Sequence, residues 1–488
     1  MIQSGGRGRV SASMTAVSPR QRPIVAPSPQ VMLAGDMPGT ITGFQRLGYI
    51  VLVLYLFLIY SRVFDVKFSK LHIPGISYRL ILVLLLLSRA FVPALKHPIG
   101  KSFALLTLWF MAAIPTSLWR GGSFNVLTVA MLPAVVIYLA TAGLIVSFDQ
   151  CQRAAHVVGW ALFVLTLIAV VWGSTEETGR LFLPQGKFSN PNEMGQALLL
   201  AMPLWWMILL DSPSVPKKAF AAGVMLLVLV VVSKTGSRGA LIGFAVLVFA
   251  IFLRAPIMGK MKLIVGGGVL LAVIVVTMPG RLLRRYTTIS EEQESPLLSS
   301  EADYSAAMEH SAISSARSRK YLLQESIRLT IRHPLFGVGP GMFAVADDLD
   351  AKARGATRGA WQGTHNSYTQ VSSETGIPGA LAYVGIIFFS LRRTSKLYAR
   401  TRGDPRLKNI ASCALCLNYC LIVYAVTVFF DYIAFTSMLS VFAGLAAALD
   451  INAPKEIERL TATPLEERIP FEQFRPNWRT PAGVAPQV

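Results

Sequence analysis

Charged residues are scarce in this chain of 488 residues: Asp, Glu, Lys and Arg make up only 15% of it. Soluble domains carry about 25%. Hydrophobic residues reach 53%, and the mean hydropathy is +0.52. The apolar residues come in blocks of about 20, the length that crosses about 30 Å of hydrocarbon. The scarcity of charge therefore excludes an ordinary soluble domain and predicts an all-α polytopic membrane protein.

Acidic residues are the scarcest charged class, with 26 Asp and Glu against 46 Lys and Arg, a net charge of +20. Such an excess can mark a nucleic-acid-binding protein. Here the basic residues lie mostly in loops and tails, where the positive-inside bias and anionic lipid headgroups account for them. We therefore expect membrane lipids as partners and no nucleic acid.

Cysteine is also rare, and its four positions imply no disulfide framework. Three of them, Cys413, Cys416 and Cys420, share one face of an apolar helix as small hydrophobic side chains. A pair of this kind without other soft ligands is a poor zinc site, so no metal and no cofactor are expected.

The predicted organisation is a bundle interrupted by one long loop. A disordered cytoplasmic tail (1–43) has no apolar signal core, although an organellar transit peptide stays open as an alternative. Nine spans follow in 44–279, then a large periplasmic loop (280–376), three spans in 377–449 and a cytoplasmic tail (450–488). The twelve spans are 44–61, 76–95, 99–118, 124–147, 154–173, 193–211, 217–233, 239–254, 261–279, 377–391, 408–429 and 431–449.

Basic residues set the orientation, because loops rich in Lys and Arg stay in the cytoplasm. The densest run lies at 392–408 and makes that side cytoplasmic. The long loop then lies outside, in the periplasm of a Gram-negative cell. The outer loop at 62–75 is mildly basic and disagrees slightly with this assignment.

Arg238 stands in a polar hinge between the seventh and eighth spans, Ser233-Lys234-Thr235-Gly236-Ser237-Arg238-Gly239. An arginine at this depth either extends to lipid headgroups or clamps the phosphate of a membrane-anchored substrate. The hinge alone does not separate these two interpretations.

Arg319 opens an amphipathic segment, 318–334, that is compatible with a helix on the membrane surface. The alternative interpretation of Arg319 is an arginine that faces lipid headgroups without binding substrate. Arg317 precedes it, and the loop His333-Pro334-Leu335-Phe336-Gly337-Val338-Gly339-Pro340-Gly341 follows. Its glycines either expose N–H groups to phosphate or form a simple turn.

His365 lies in Thr364-His365-Asn366-Ser367-Tyr368, just before the tenth span. A histidine is neutral at pH 7 and can accept a proton from a sugar hydroxyl, as general-base catalysis requires. A histidine that only supports the helix start is the alternative, and Asn366 can cap that helix.

Further polar residues are expected on the same outer face. Arg180 and Lys187 add positive charge, and Asn192 is predicted to cap the sixth span with Glu193 in its first turn. Asp431, at another outer helix end, is a candidate to orient His365 or to pair with an arginine, with a simple boundary residue as the alternative.

The residues from about 180 to 450 resemble the O-antigen ligase and O-antigen polymerase-like superfamily of bacterial glycan transferases. The resemblance rests on the order of four motifs: Gly186-Lys187-Phe188-Ser189-Asn190-Pro191-Asn192, Ser237-Arg238-Gly239, Arg319 followed by His333 to Gly339, and His365-Asn366-Ser367-Tyr368. One departure is Leu323, with Tyr321 nearby, where relatives commonly have a large aromatic residue one turn after the arginine.

The resemblance implies a glycosyltransferase of lipopolysaccharide biosynthesis, metal-independent and inverting, with a GT-C-like fold in the bacterial inner membrane. Short amphipathic helices are expected in its long extracytoplasmic loop. The donor it implies is a glycan on undecaprenyl diphosphate, and the acceptor is lipid A–core or, in a polymerase, another lipid-linked glycan. By resemblance, Arg238 and Arg319 bind the diphosphate and His365 is the general base.

A membrane transporter is the competing class of function. Transporters place ionisable groups near the bilayer midplane. In this sequence the polar residues cluster at one face, which favours chemistry at that face. A purely structural or assembly role is a further alternative.

Overall fold

The structure is a computed structural model that describes residues 43–64, 73–176, 179–184, 186, 188–277, 318–355 and 362–462. In this part the chain is mostly helical, with one short hairpin, β1 (Ser174–Thr175) with β2 (Leu181–Phe182). The α-helices are α1 (Gly43–Ser61), α2 (Ile73–Leu87), α3 (Phe91–Lys96), α4 (Pro98–Ala113), α5 (Arg120–Val126), α6 (Leu132–Leu144), α7 (Phe148–Trp172), α8 (Pro191–Leu199), α9 (Ala201–Asp211), α10 (Val215–Lys234), α11 (Arg238–Arg254), α12 (Ile257–Thr277), α13 (318–332), α14 (Phe343–Ala353), α15 (Ser367–Thr401), α16 (Lys408–Thr427) and α17 (Ser437–Ala462).

Eight helical stretches in the described chain are long and apolar enough to cross a membrane. They are Gly43–Ser61, Arg120–Leu144, Phe148–Trp172, Pro191–Asp211, Val215–Lys234, Ser367–Thr401, Pro405–Phe430 and Ser437–Ala462. The shorter apolar helices α2 and α4, together with α11 and α12, overlap the other four predicted spans. The prediction of an all-α polytopic membrane protein is confirmed, while the number twelve stays a prediction.

One apolar core runs through the bundle. Within it α17 packs against α6, and α15 packs against both α16 and α4. Large side chains such as Trp205 and Tyr138 are fully buried there. Leu108 and Val171 point away from the core and are each 65% exposed, as expected of side chains that face lipid.

Helix α15 is broken near its first third. Gly376 has φ 73° and ψ −177°, a conformation that glycine adopts without a steric penalty, and Pro378 follows it inside the helix. The N–H of Ile377 leaves the helical pattern and donates to the carbonyl of Pro334 at 2.8 Å. The break therefore opens backbone groups of α15 to another part of the chain.

The glycine-rich loop 337–341 fills this break. The N–H groups of Val338 and Gly339 donate to the carbonyls of Ser373 and Glu374 at 2.8 and 3.1 Å. The N–H of Gly341 donates to the Glu374 carboxylate at 2.9 Å. These donors serve the fold, so the simple-turn interpretation of the loop fits better than the phosphate-binding one.

The amphipathic segment after Arg319 forms α13, which pairs with α14. Leu322 and Leu329 of α13 share a small core with Phe343 of α14. Ile327 and Ile331 lie on another face and are 45% and 72% exposed. The apolar residues of α13 thus serve two surfaces, and only the outward one is available to a membrane.

Polar contacts hold the same helix pair together. Arg328 bridges Glu325 and Asp350, and the side-chain hydrogen bond to Glu325 is the main cause that raises the pKa of Arg328. The hydroxyl of Tyr321 donates to Asp347 at 3.0 Å. Tyr321 therefore joins the two helices.

Several predicted boundaries differ from the observed ones. The predicted loop 280–376 contains α13, α14 and the first part of α15, and the last helix spans Ser437–Ala462 rather than 431–449. Three parts of the predicted organisation lie outside the described residues. They are most of the N-terminal tail, residues 280–317 and 356–361 of the loop, and the C-terminal residues 463–488.

Candidate active site

Three of the predicted side chains lie where helices begin. Arg238 is the first residue of α11, Arg319 lies in the first turn of α13, and His365 stands two residues before α15. Burial is the largest cause that lowers the pKa of Arg319 and of His365. After it, Arg238 contributes to the shift of Arg319, and Arg319 to that of His365. Arg319 lines one small space with Ser237 and Asp431, the neighbours of Arg238 and Tyr432. The ring of Tyr432 packs against His365, so the three side chains lie around one site.

A tight turn presents Arg238. Gly236 has φ 60°, in the left-handed region that favours glycine. Ser237 then caps α11, its hydroxyl accepting the N–H of Ala240 at 3.3 Å. The positive end of the helix dipole and the half-buried guanidinium of Arg238 therefore meet at one point, an arrangement that favours anions.

Arg180 braces this turn. Its Nε donates to the carbonyl of Thr235 at 2.9 Å, and its Nη2 donates to Oδ1 of Asn192 at 2.8 Å. The side chain is only 9% exposed. The sequence predicted Arg180 as added charge on the outer face, whereas in the structure its guanidinium is bonded to the backbone that carries Arg238.

Arg319 is half-buried and makes no hydrogen bond or ion pair with any residue that the structure describes. Burial lowers its pKa, Asp431 opposes that shift, and Arg238 adds to it. A small space beside Arg319 is lined by Asn192, Ser237 and Asp431 as well. A guanidinium offers five N–H donors, so Arg319 is available to an incoming anion.

His365 is held in an unusual state. Its backbone has φ 50°, which is uncommon for a residue other than glycine. Nδ1 is buried and has no hydrogen-bond partner among the described residues, and the ring packs edge-on against Tyr432 at 5.3 Å between centroids. Burial, and then the charge of Arg319, lowers the pKa of His365 to about 4. The imidazole is therefore neutral at pH 7.

Asn366 and Tyr368 fix the backbone beside His365. The Asn366 side chain caps α15 and accepts the N–H groups of Tyr368 and Thr369 at 2.9 and 3.1 Å, which confirms the predicted cap. The Tyr368 hydroxyl donates to the carbonyl of Ala425 in α16 at 2.7 Å. Both side chains are thus used to position the helix start.

Asp431 is buried and only partly satisfied. Its Oδ1 accepts the N–H of Tyr432 at 2.9 Å, and its Oδ2 has no hydrogen-bond partner within the described ranges. Burial raises the pKa of Asp431 to about 7, Glu193 adds to the rise, and Arg319 opposes it. No hydrogen bond joins Asp431 to His365 in the described chain, and the charge that favours the Asp431 anion is that of Arg319.

The predicted cap of the sixth span was wrong by two residues. Asn190 caps α8 and accepts the N–H of Asn192 at 2.9 Å, because Pro191 occupies the first helical position. Asn192 lies inside the helix and faces the space beside Arg319. Two other predicted residues, Lys187 and Arg317, lie outside the described residues.

Comparison with known families matches residues 222–384 to the family described as O-antigen ligase. The matched stretch runs from α10 into α15 and contains Arg238, Arg319 and His365. This match, over about a third of the chain, supports the O-antigen ligase-like superfamily. A comparison with curated proteins returns no match.

Two further residues, which the sequence did not predict, line the site. Gln196 is 2% exposed, and both polar atoms of its amide lack a hydrogen-bond partner in the described chain. It lines the same small space as Arg319. Its signal was an amide inside a predicted apolar span. Tyr432 carried no signal except its position next to Asp431.

A cavity of about 780 Å³ lies beside this site, and Tyr432 forms part of its wall. Its other polar lining residues include Tyr55, Arg62, Tyr78, Gln362, Gln370 and Glu374. A cavity of this size is typical of small-molecule sites.

The arrangement of Arg238, Arg319 and His365 allows two kinds of chemistry. The two guanidinium groups can bind a doubly charged phosphate group. The neutral imidazole can accept a proton. In the part of the chain that the structure describes, no group of three or more His, Cys, Asp or Glu side chains could hold a metal ion.

Proposed function

We propose that this protein is an O-antigen ligase-type glycosyltransferase. It moves a glycan from undecaprenyl diphosphate to a hydroxyl of lipid A–core, at the periplasmic face of the bacterial inner membrane. The observation that carries the proposal is the meeting of Arg238, Arg319 and a neutral His365 at adjoining helix starts. A pair of cations beside a base suits a reaction that releases a diphosphate and deprotonates a hydroxyl.

The diphosphate of the donor would bind between Arg238 and Arg319. Repulsion between the two guanidinium groups is relieved when an anion enters, so their mutual approach favours a ligand with two or more negative charges. Arginine binds phosphate oxygens in a bidentate manner and keeps its charge in a half-buried place. The dipole of α11 adds to the attraction.

An apolar cavity of about 600 Å³ lies along α11 and supports a polyprenyl donor. Phe244 and Val248 of α11 line it, together with Met225 of α10 and Leu263 of α12. Phe244 follows Arg238 by about 9 Å of helix, from the rise of 1.5 Å per residue. A hydrocarbon chain in this cavity would thus leave its diphosphate near the start of α11.

The transfer would proceed in one displacement. The acceptor oxygen bonds to the anomeric carbon while the bond from that carbon to the diphosphate oxygen breaks. The electron pair leaves with the diphosphate, where Arg238 and Arg319 stabilise it. The hydroxyl proton passes to His365. Attack from the side opposite the leaving group inverts the anomeric centre, and the cationic role of a metal ion falls to the arginines.

Donor binding would also strengthen the base. Arg319 is one of the causes of the low pKa of His365, after burial. A bound diphosphate would neutralise Arg319, so the pKa of His365 would rise towards the pH at which the reaction runs. His365 would then accept the proton more readily when a donor is in place.

The proposed topology follows from the charges. The basic run 392–408 would lie in the cytoplasm, so the helix ends with Arg238 and His365 would face the periplasm. A twelve-span GT-C-like bundle then places the large loop outside. The site would meet lipid-linked substrates at the outer membrane surface.

The experiment uses purified protein with an undecaprenyl-diphosphate-linked glycan, with and without lipid A–core. Glycan on lipid A–core is the expected product, and Arg238→Ala should abolish it while the protein still inserts into membranes. Matched Arg46→Ala, at an exposed position of α1, should retain transfer.

Other products would redirect the proposal. Chains that grow on undecaprenyl diphosphate without lipid A–core would make the protein a polymerase, which uses the same donor chemistry with another acceptor. Vesicle uptake or flipping of the lipid-linked glycan without transfer would favour a transporter. Unchanged transfer by Arg238→Ala would contradict the assigned mechanism.

A further inference from the structure

We propose that the cavity of about 780 Å³ beside Tyr432 is the subsite for the glycan acceptor, in which Arg62 binds an anionic group of that acceptor. The anionic group is a phosphate or a sugar carboxylate, since a guanidinium recognises both through the same paired hydrogen bonds. This inference rests on the proposed function, because it takes His365 as the base that receives the acceptor proton.

Tyr432 connects the cavity with His365. The ring of Tyr432 lines the cavity and packs edge-on against the imidazole of His365. Gly363, two residues before His365, also lines the cavity and packs closely against the Tyr432 ring. A β-carbon on Gly363 would be 2.6 Å from Cδ2 of Tyr432. A molecule in the cavity can therefore contact Tyr432, whose ring also contacts the proposed base His365.

The lining of the cavity suits sugar rings. Tyr55 and Tyr78 lie close together, with 6.4 Å between ring centroids, and offer apolar faces. Gln362 and Gln370 offer amides that can bond hydroxyl groups. Ligand sites commonly combine aromatic walls with a few convergent polar groups.

Arg62 supplies positive charge to this cavity. It follows the last residue of α1, and its guanidinium lies 5.1 Å from the centre of the buried Phe188 ring. That ring supports the cation, and Arg62 also lines the cavity. Its backbone has φ 55°, which is uncommon for arginine, so the fold keeps Arg62 at this place despite an unfavourable conformation.

The position of Arg62 also explains a disagreement in the charge pattern. The 62–75 loop is basic although it belongs to the predicted outer side, where the positive-inside bias disfavours Lys and Arg. A cation that binds substrate has a reason to stand there. Arg62 lines this cavity, whereas Arg238 and Arg319 are not among the described residues that line it.

The test uses the full-length protein in nanodiscs, with lipid A–core as acceptor. Arg62→Gln should raise the KM for lipid A–core roughly tenfold or more, because it removes hydrogen bonds from a charged group. The kcat and the Kd for undecaprenyl diphosphate should not change. Arg79→Gln, at an exposed position of α2 away from the cavity, is the matched control and should leave all three values unchanged. Arg62→Lys should restore part of the affinity.

Two modified acceptors identify the anionic group. Lipid A–core treated with phosphatase tests phosphate, and carboxyl-reduced lipid A–core tests acidic sugars. The acceptor that lacks the recognised group should raise the KM of the wild type to that of Arg62→Gln. The same acceptor should leave the KM of Arg62→Gln unchanged. An unchanged KM in Arg62→Gln, or a weaker Kd for undecaprenyl diphosphate instead, would overturn the inference while transfer and the proposed function stand. Absence of transfer by the wild type would overturn the proposed function first.

Discussion

A histidine and an arginine lie near each end of α15. At one end their polar atoms have protein partners, and at the other end they have none in the described chain. At one end His97 caps α4 through Nδ1, and its Nε2 contacts Asp450 at 3.1 Å. Arg393 contacts the same carboxylate at 3.3 Å. About 40 Å away along the helix, His365 has an Nδ1 without a partner in the described chain. One histidine is tied into the fold and the other is left available.

Arginines divide in the same way. Arg254 donates to Asn418 at 3.1 Å and lies over the rings of Tyr398 and Tyr419. Arg319 makes no hydrogen bond or ion pair among the described residues. Buried polar groups are normally satisfied because an unsatisfied one costs free energy. Arg319 and His365 lack hydrogen-bond partners in the described chain, as expected of side chains that bind a ligand. Arg254 and His97 have partners and hold helices together.

The largest effect is expected from the two histidines. His365→Ala should lower the rate of glycan transfer by roughly 10²–10⁴-fold, the usual contribution of a general base. His97→Ala should keep most of the rate but lower the unfolding temperature, since Asp450 loses a partner. Transfer rates at saturating substrate and thermal unfolding measure both. Full activity in His365→Ala would show that His365 is not the general base.

The paired arginine variants come next. Arg319→Gln should weaken binding of undecaprenyl diphosphate roughly 10–100-fold, the loss expected for hydrogen bonds to a charged group. Arg393→Gln, at the other end of the bundle, should leave this Kd unchanged. Titration of both variants with fluorescently labelled undecaprenyl diphosphate measures the difference in Kd. Equal losses in both variants would mean that charge anywhere on the bundle, rather than the site, attracts the donor.

The glycine loop offers a test of structure against binding. Gly339 has φ 107°, and a β-carbon there would be 2.1 Å from Oγ of Ser117. Gly339→Ala should lower the free energy of unfolding by about 1–3 kcal/mol through overpacking and strain. Gly403→Ala, with open space around the added carbon, is the control. If Gly339→Ala weakened donor binding while unfolding was unchanged, the loop would be a phosphate site after all.

The smallest effect concerns pH. The pKa of Asp431 is about 7, so its carboxyl group is neutral below that pH and becomes an anion above it. The anion competes with diphosphate for Arg319, so donor binding should weaken roughly threefold or more from pH 6 to pH 8. Without donor, His365 has a pKa of about 4 and does not titrate in this window. Asp431→Asn should abolish the slope, whereas Asp404→Asn, at an exposed ion pair, should retain it.

The same titration affects stability. The pKa of Asp431 is raised on folding, so its contribution to stability is fully present at low pH and is lost as the pH rises through about 7. Asp431→Asn should therefore raise the unfolding temperature at pH 8 more than at pH 5. An equal change at both pH values would show that the carboxyl group does not titrate in this range.

Much of the site could be predicted from the chain. Arg238, Arg319 and His365 stood out because polar residues next to apolar helices need a reason to be there. The Asn366 cap was also readable, because a cap depends on neighbouring residues alone. The shift of the α8 cap to Asn190 was missed although Pro191 signalled it.

Other features had no local signal. Arg180 looked like surplus surface charge, yet it bonds the turn before Arg238 from another part of the chain. The glycine loop resembled a phosphate cradle, yet its N–H groups complete the break in α15. Arg62 looked like a small inconsistency in the charge pattern. Each of these depends on contacts between residues far apart in sequence, which periodicity and capping rules do not contain.

The sequence by itself determined the class of protein and the types of residue available for chemistry. Apolar blocks of about 20 residues require helices in a membrane, because the backbone must satisfy its own hydrogen bonds there. Only the tertiary structure decided which arginines are bonded to the fold and which are open to a ligand. That difference follows from burial and from partners brought together by packing, and these exist only once the helix ends have met.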